Sequence, residues 1–271
     1  MIPKDHIVEW KVTAPWTEML MVEQDLIICR ALVAIYSDEF LSSHLAFRGG
    51  TALHKLYLSP QPRYSEDIDL VQIQIGSVGA ILDKLREVLS FLGKPVIKQK
   101  RNNNTMVFKV DSTFPPIVSI RLKIEINCKE HFTVLGLTKV PFEVKSLWFN
   151  GSCNITTYQL DELIGTKLRA LYQRKKGRDL FDLQKALENQ NLNPDNVVKC
   201  YREYIKFSDG ESPSKVVYLA NMDEKMKEEI FLSDMQALLR PSLTFNPQEA
   251  YEIVKSKMIK CFDFMCENLF R

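Results

Sequence analysis

The chain contains 271 residues, which is enough for one large domain or two modest ones. Apolar residues make up 45% and charged residues 26%, an ordinary globular composition, and no apolar run reaches the ~18 residues that a bilayer-spanning helix needs. The formal net charge of +2 gives no reason by itself to expect a polyanionic partner. We therefore expect a globular protein without a membrane partner.

The first residues and the cysteines favour a cytoplasmic protein. The amino-terminal stretch has no apolar core of the kind found in secretory signals. The cysteines are scattered, without the CxxC or CxH spacing that is typical of zinc sites, so we expect six reduced thiols. These are Cys29, Cys128, Cys153, Cys200, Cys261 and Cys266.

The first part of the chain predicts alternating helices and strands. Apolar residues three to four positions apart predict a helix over residues 17–37. A short apolar strand over residues 45–47 leads into the double glycine at 49–50. The next predicted elements are a helix over 51–58, a strand over 67–75 and a helix over 78–91.

Strand patterns dominate the middle of the chain and helical patterns the end. The three predicted strands cover residues 106–110, 117–126 and 142–147. After Tyr158 the patterns are helical, beginning with a helix over residues 161–174. These patterns predict an α+β fold, with a mixed α/β domain over residues 1–155 and an all-helical domain over residues 156–271.

Two asparagine–proline pairs predict helix starts in the helical part. Asn193 and Asn246 each provide an N-cap followed by proline at the first helical position. The final helix is expected to bury a stripe of residues three to four positions apart. Its members are Tyr251, Val254, Met258, Phe262, Met265 and Leu269.

Two acidic residues one position apart, Asp67 and Asp69, open the predicted strand over residues 67–75. Residues two apart on a strand share a face, so the two carboxylates should point the same way. Like charges this close repel each other unless a cation lies between them. The pair therefore predicts a site for a divalent metal ion.

The double glycine precedes the acids, in the run Gly49-Gly50-Thr51 between a strand and a helix. Backbone N–H groups at the start of a helix favour anions, so this turn is a candidate phosphate site. It does not match a Walker A loop, because no Gly-Lys-Ser/Thr follows. The alternative interpretation is an ordinary tight turn.

Glu125 is a candidate third acid. In the predicted strand around it, the aliphatic residues share one face while Lys123 and Glu125 share the other. Three strand-borne carboxylates would suit a hard cation that prefers oxygen ligands. Glu125 could equally pair with Arg121 or Lys123.

A basic segment follows in the helical part. On an uninterrupted helix, Lys167, Arg174, Arg178 and Asp182 would fall within about 80° of one another, at roughly 100° per residue. Such a face offers charge to triphosphate oxygens. If Gly177 instead breaks the helix, Asp179 could cap the next one.

Four segments occur in a characteristic order, at residues 49–55, 65–69, 124–126 and 167–183. In this order they resemble the AbiEii/AbiGii toxin family, which includes the mycobacterial MenT toxins. The members of this family are nucleotidyltransferases with a DNA polymerase β-like core, and they act as toxins of toxin–antitoxin and abortive-infection systems. The resemblance implies a mixed sheet flanked by helices, followed by a helical region whose first helices complete the active site.

The resemblance also implies roles for individual residues. The implied catalytic residues are Asp67, Asp69, Glu125, Lys167 and Asp182, with Asp179 as the alternative late aspartate. The implied nucleotide-binding residues are Gly49, Gly50, Thr51, Ser65, Lys167, Arg174 and Arg178. The implied metal ligands are Asp67, Asp69 and Glu125, which would hold Mg²⁺ or Mn²⁺ against a nucleoside triphosphate (NTP) substrate.

The resemblance implies transfer of a nucleoside monophosphate (NMP) from NTP to RNA, with the 3′ end of tRNA as the expected acceptor, and a separately encoded antitoxin as a partner. The basic helix would then face RNA phosphates. One alternative function is a GTP-binding or phosphotransferase toxin that modifies a protein. A second is a nucleotide-binding module without catalytic activity.

Overall fold

The computed structural model describes residues 2–262, which form two compact units. The first unit contains residues 2–133 and 137–158. The second contains residues 134–136 and 159–262. None of the helices in residues 2–262 is long and apolar enough to cross a membrane.

The first unit contains five α-helices and seven strands within the described residues. In chain order they are α1 (Lys4–Trp10), α2 (Met19–Ser37), α3 (Glu39–His44), β1 (Leu45–Arg48), α4 (Gly49–Leu56), β2 (Asp67–Gln72), α5 (Gly79–Val88), β3 (Val96–Lys100), β4 (Asn103–Asp111), β5 (Ser119–Asn127), β6 (Leu137–Lys145) and β7 (Asn150–Tyr158).

The regular elements of the second unit are all helical within the part that the structure describes. Its helices are α6 (Leu160–Gln173), α7 (Gly177–Asn189), α8 (Pro194–Asp209), α9 (Lys215–Lys225), α10 (Glu229–Ser233) and α11 (Pro247–Lys257). The α+β fold class that the sequence predicts is thus confirmed.

All seven strands form one mixed sheet in the order β3-β4-β5-β2-β1-β7-β6. Strand β2 lies near its centre, antiparallel to β1 and parallel to β5. Its register places Asp69 beside Arg48 on one side and Glu125 on the other, and Asp67 beside Lys123. The pairing of neighbouring strands therefore brings the predicted acids together.

The two faces of β5 differ as its alternating sequence predicts. Ile120, Leu122, Ile124 and Ile126 are at most 2% exposed and belong to the core. Helix α2 packs against this strand, and Gln24 donates hydrogen bonds from its Nε2 to the backbone oxygens of Glu66 and Arg121. The opposite face, with Lys123 and Glu125, is half-buried, which leaves charged side chains accessible.

Helix α4 is fixed by a buried ion pair. Lys55 Nζ lies 2.6 Å from Asp25 Oδ2 on α2, and Trp10 Nε1 donates a hydrogen bond of 3.0 Å to the other carboxylate oxygen. Burial alone would lower the pKa of Lys55, but the charge of Asp25 outweighs it and raises the pKa. The helix that follows the double glycine is therefore anchored to α2.

Glu162 organises the second unit around α6. Its carboxylate is fully buried and accepts hydrogen bonds of 2.8 Å from the backbone N–H groups of Val134 and Leu135. Tyr204 on α8 donates a further bond of 2.7 Å to the same group. These contacts explain why residues 134–136 belong to the helical unit although their neighbours belong to the sheet.

Several predicted elements differ from the observed ones. The predicted strand over residues 67–75 is too long, because β2 ends at Gln72 and Ile75 is 86% exposed. The last pairing contact is the hydrogen bond from Ile73 N to His44 O, after which the chain turns. The sequence patterns did not predict α1, α3, β3 or β7, and they placed the start of β6 at residue 142 instead of Leu137.

Both predicted helix starts are confirmed. The side chains of Asn193 and Asn246 each accept hydrogen bonds from the backbone N–H groups of the residues two and three positions later. The last helix ends at Lys257, followed by a 3₁₀ turn at Ile259–Phe262. Of its predicted stripe, Met265 and Leu269 lie outside the described residues, as does Cys266; the five described cysteines are free thiols.

We expect Gly165→Ala to destabilise the second unit, because a Cβ atom there would lie 2.6 Å from Cys200 Cβ and 2.8 Å from Val197 O. Overpacking of this kind costs about 1–3 kcal/mol, and roughly 2–4 °C is lost per kcal/mol in a protein of this size. Calorimetry should therefore show a Tm lower by several degrees. The control is Gly79→Ala, whose Cβ would meet only Ser77 Oγ at 3.5 Å, and equal Tm values would contradict the prediction.

Candidate active site

The double glycine lies where β1 ends and α4 begins. Gly49 has φ +81°, a left-handed conformation that glycine adopts readily. A Cβ atom at Gly49 would lie 2.2 Å from Oδ2 of Asp69. The Asp69 carboxylate therefore lies directly against the turn, and a residue with a side chain would displace it.

Two hydroxyl groups fasten this turn to β2. Thr51 is 1% exposed, and its hydroxyl donates a hydrogen bond to the Asp67 carbonyl oxygen. Ser65 Oγ lies 2.7 Å from Thr51 Oγ1 and donates to it, since the Thr51 proton is already used. Both residues thus position the backbone of Asp67, and their predicted contact with nucleotide stays a prediction.

The predicted acids surround a lysine ammonium group. Lys123 Nζ lies 2.8 Å from Asp67 Oδ2 and 3.4 Å from Glu125 Oε1. Partial burial would lower the pKa of Lys123, but the hydrogen bond and charge of Asp67, with Glu125 and Asp69, raise it overall. The two interpretations of Glu125 are therefore compatible, because it pairs with Lys123 and also lies beside Asp69.

Arg48 is a further charged residue at this site that the sequence patterns did not select. Its guanidinium group forms an ion pair with the buried carboxylate of Glu130. Burial alone would lower the pKa of Arg48, but Glu130 outweighs it, and Asp69 adds to the upward shift. The only sequence signal was its place directly before Gly49, since its partner lies far along the chain.

The chemistry of this cluster fits a divalent cation. Asp67, Asp69 and Glu125 supply the carboxylate oxygens that hard cations prefer, and Lys123 shows that the cluster already stabilises a positive charge. Within residues 2–262, however, no three acidic, histidine or cysteine side chains are arranged around a common metal position. The three-acid metal set therefore stays a prediction.

A second charged cluster lies inside the helical unit. Lys167 Nζ on α6 lies 2.9 Å from Asp179 Oδ1 and 2.7 Å from Asp182 Oδ2, both on α7. Arg174 adds two hydrogen bonds to Asp179, of 2.6 Å from Nε and 2.8 Å from Nη2. Burial alone would raise the pKa of Asp179, but Lys167 and Arg174 hold it below its usual range.

Of the two alternatives for the basic segment, the structure shows the break and not one uninterrupted helix. Helix α6 ends at Gln173 and α7 begins at Gly177. A Cβ atom at Gly177 would lie 2.1 Å from Phe231 O, so the close packing at this point requires a glycine. Asp179 does not cap α7, since it lies inside the helix and its side chain binds Lys167.

The rest of the basic segment is largely neutralised by acids of the same unit. Lys175 pairs with Glu228 at 2.5 Å, while Lys176 and Arg178 lie 3.8 Å and 4.0 Å from Asp234. Arg178 therefore does not join Lys167, Arg174 and Asp182 in one cluster. Sequence spacing could not show these pairs, because their acids lie some fifty residues later.

Comparisons with known proteins show the family and the fold. A family model described as "Nucleotidyl transferase AbiEii toxin, Type IV TA system" matches residues 30–257. No curated protein sequence matches the chain significantly. Among solved structures, the fold is similar to that of MenT4, a nucleotidyltransferase toxin from Mycobacterium tuberculosis H37Rv, with a TM-score of 0.65, 14% identity, and coverage of 97% of this chain and 91% of that one.

A second solved structure shares the fold. It is a protein from H. pylori assigned as a nucleotidyltransferase, with a TM-score of 0.52 and 16% identity. The match covers 92% of this chain and 97% of the H. pylori chain.

We expect Gly49→Ala to abolish catalysis while leaving the protein folded. The added methyl group would push Asp69 away from the turn. The backbone of the alanine would also have to adopt a positive φ, which is strained for a residue with a side chain. Enzymatic turnover should fall by at least ~100-fold, since displacements near 1 Å already cost that much. Turnover close to that of the unchanged protein would contradict this geometry, and circular dichroism provides the control for folding.

We expect Lys167→Ala to unfold the helical unit at a lower temperature, because it leaves two fully buried carboxylates without their shared lysine. Removing one partner of a buried pair costs about 3–5 kcal/mol. The control is Lys175→Ala, which removes an exposed pair with Glu228 worth ~1 kcal/mol or less. Equal thermal shifts for the two variants would contradict the prediction.

Proposed function

Because the chain belongs to the AbiEii family of nucleotidyltransferase toxins of type IV toxin–antitoxin systems, we propose that it transfers an NMP from an NTP to RNA, at the 3′ end of tRNA. The family assignment implies an NTP substrate and an antitoxin partner. The proposal adds the RNA acceptor, the divalent metal ion and the residues that act on them.

The observation that carries the proposal is the position of the acids beside the glycine turn. Asp69 lies against Gly49, while Asp67 and Glu125 contact the ammonium group of Lys123. A binding module has little use for three clustered carboxylates that repel one another and the phosphates of a nucleotide. Transfer chemistry does have a use for them, because it needs a cation held at this place.

In the proposed reaction, the RNA 3′ hydroxyl attacks the α-phosphorus of the NTP, the bond to the β-phosphate oxygen breaks, and pyrophosphate leaves. The backbone N–H groups of Gly49 and Gly50 receive the phosphate chain at the start of α4. Asp67 and Asp69 would hold Mg²⁺ or Mn²⁺, which when bound offsets charge on the phosphate oxygens. Glu125 serves as a further ligand or accepts the proton of the attacking hydroxyl.

Lys167 is the proposed triphosphate ligand of the helical unit, with Arg174 beside it. The structure supports an indirect contribution from the aspartates, because Asp179 and Asp182 hold Lys167 on both sides. Lys167 must exchange one of these carboxylates to reach a phosphate. Arg178 keeps its predicted role only if a phosphate replaces Asp234, which now lies 4.0 Å away.

The test uses each α-labelled NTP in turn with Mg²⁺ and total tRNA. We expect label on RNA from one NTP or a subset, and no label after chelation with EDTA. Label on protein from α-labelled NTP would instead support a protein-modifying toxin, and label on protein in a parallel incubation with γ-labelled NTP would support a phosphotransferase. Label on neither RNA nor protein from either position, with NTP bound, would support a binding module.

We expect Asp67→Asn and Asp69→Asn to lower RNA labelling by at least ~100-fold, because each removes a charge needed to stabilise the transition state. The same variants should relieve growth arrest on expression. The matched control is Asp83→Asn, an exposed acid on α5 that pairs only with Arg86 among the described residues. Growth arrest by folded Asp67 and Asp69 variants would count against a catalytic toxin.

A further inference from the structure

The sheet face that carries the acids continues outward to the edge strand. Register pairs Glu125 with Thr105 on β4, and Thr105 with Lys98 on β3. Paired residues of neighbouring strands point to the same face, so Asp69, Glu125, Thr105 and Lys98 form one row across four strands. At ~4.8 Å between strands, the row is roughly 14 Å long.

Four exposed cations lie on the part of this face that β3, β4 and β5 form. They are Lys98, Lys100, Lys109 and Arg121. Within residues 2–262, none of them lies within ion-pair distance of a carboxylate, although exposed Asp111 shares the face at the end of β4. The basic segment at 174–178 differs, because its charges already have acidic partners.

Two of these cations face each other directly. Lys109 on β4 is the register partner of Arg121 on β5. Like charges directly opposite each other on neighbouring strands destabilise a sheet. A bound anion would relieve this repulsion. The pairing of Lys109 with Arg121 therefore favours an anionic ligand, independently of the total charge of the face.

We propose that this face, defined by Lys98, Lys100, Lys109 and Arg121 and named here the basic sheet face, binds the phosphate backbone of the acceptor RNA next to its 3′ end. This inference rests on the proposed function, which requires the 3′ hydroxyl to reach the carboxylates. The row from Lys98 to Asp69 connects the edge of the sheet to that point. An acidic protein bound to this face would not need to reach the three carboxylates, whereas the 3′ end of the acceptor RNA must reach them.

The composition of the face favours backbone contacts over base recognition. Its side chains on β3, β4 and β5 are aliphatic, polar or charged, and none of them is aromatic in the register that the structure describes. Stacking on aromatic rings is the usual means of holding single-stranded bases. We therefore expect RNA binding here to depend strongly on salt and weakly on base sequence.

The first test measures the affinity of the full chain for fluorescently labelled single-stranded RNA and for total tRNA, without NTP. The variant Lys98→Gln/Lys100→Gln should weaken both by about tenfold at low salt and reduce the slope of log K against log salt by ~1.4, or 0.7 for each phosphate contact. The control, Lys139→Gln/Lys145→Gln, removes two lysines from β6 at the other edge of the sheet. Equal losses in the two double variants would overturn the proposal.

The second test uses Lys109→Gln/Arg121→Gln. This variant should raise the Tm slightly, because it removes a like-charge pair, and should weaken RNA binding by about tenfold. A higher Tm together with a weaker RNA affinity would show that the variant loses a ligand contact and not the fold. Unchanged RNA affinity, or loss of antitoxin binding with RNA affinity intact, would overturn the proposal.

Turnover distinguishes failure of this inference from failure of the proposed function. If the basic sheet face binds the acceptor, both variants raise the KM for tRNA and leave the KM for NTP unchanged. Label transfer that is indifferent to both variants would overturn the inference and leave the proposed function intact. If the variants weaken RNA binding but no NMP is ever transferred to RNA, the result would support the basic sheet face and refute the proposed function.

Discussion

The pairing of β2 with β1 on one side and β5 on the other is the constraint on which the site depends. Four consecutive residue pairs with β1 place Asp69 beside Arg48, and five with β5 place it beside Glu125. A slip of one residue would turn the acids toward the apolar core, where their burial is prohibitively costly. The buried residues of β2 and β5 therefore fix the chemistry as well as the fold.

The central lysines of the two charged clusters differ in their exposure to solvent. In the sheet unit, Lys123 is about one-third exposed and offsets acids that solvent also reaches. In the helical unit, Lys167 is almost fully buried between two aspartates, so its charge is balanced within the core. The first arrangement can be rearranged at modest cost, whereas rearranging the second breaks a buried ion pair between α6 and α7 and therefore costs more.

The sequence predicted the fold class, the acid pair on one strand and the glycine turn, because these depend on local periodicity and spacing. It could not predict that Lys123 would lie between the acids or that Glu130 would pair with Arg48, since these contacts depend on strand order. For the basic segment it left open either one helix or a break at Gly177, and the structure shows two helices, α6 and α7. The polar strands β3 and β7 lack an alternation of apolar and polar residues, and pairing with neighbouring strands stabilises them instead.

The attachment of residues 134–136 to Glu162 affects how the protein can be divided. The chain leaves the sheet unit at Thr133, contributes three residues to the helical unit, and returns at Leu137. Separate expression of residues 1–158 and 159–271 would therefore leave the second fragment without the backbone donors of Val134 and Leu135. The two fragments would therefore not behave as independent modules. Their reassembly would restore the hydrogen bonds from Val134 and Leu135 to Glu162.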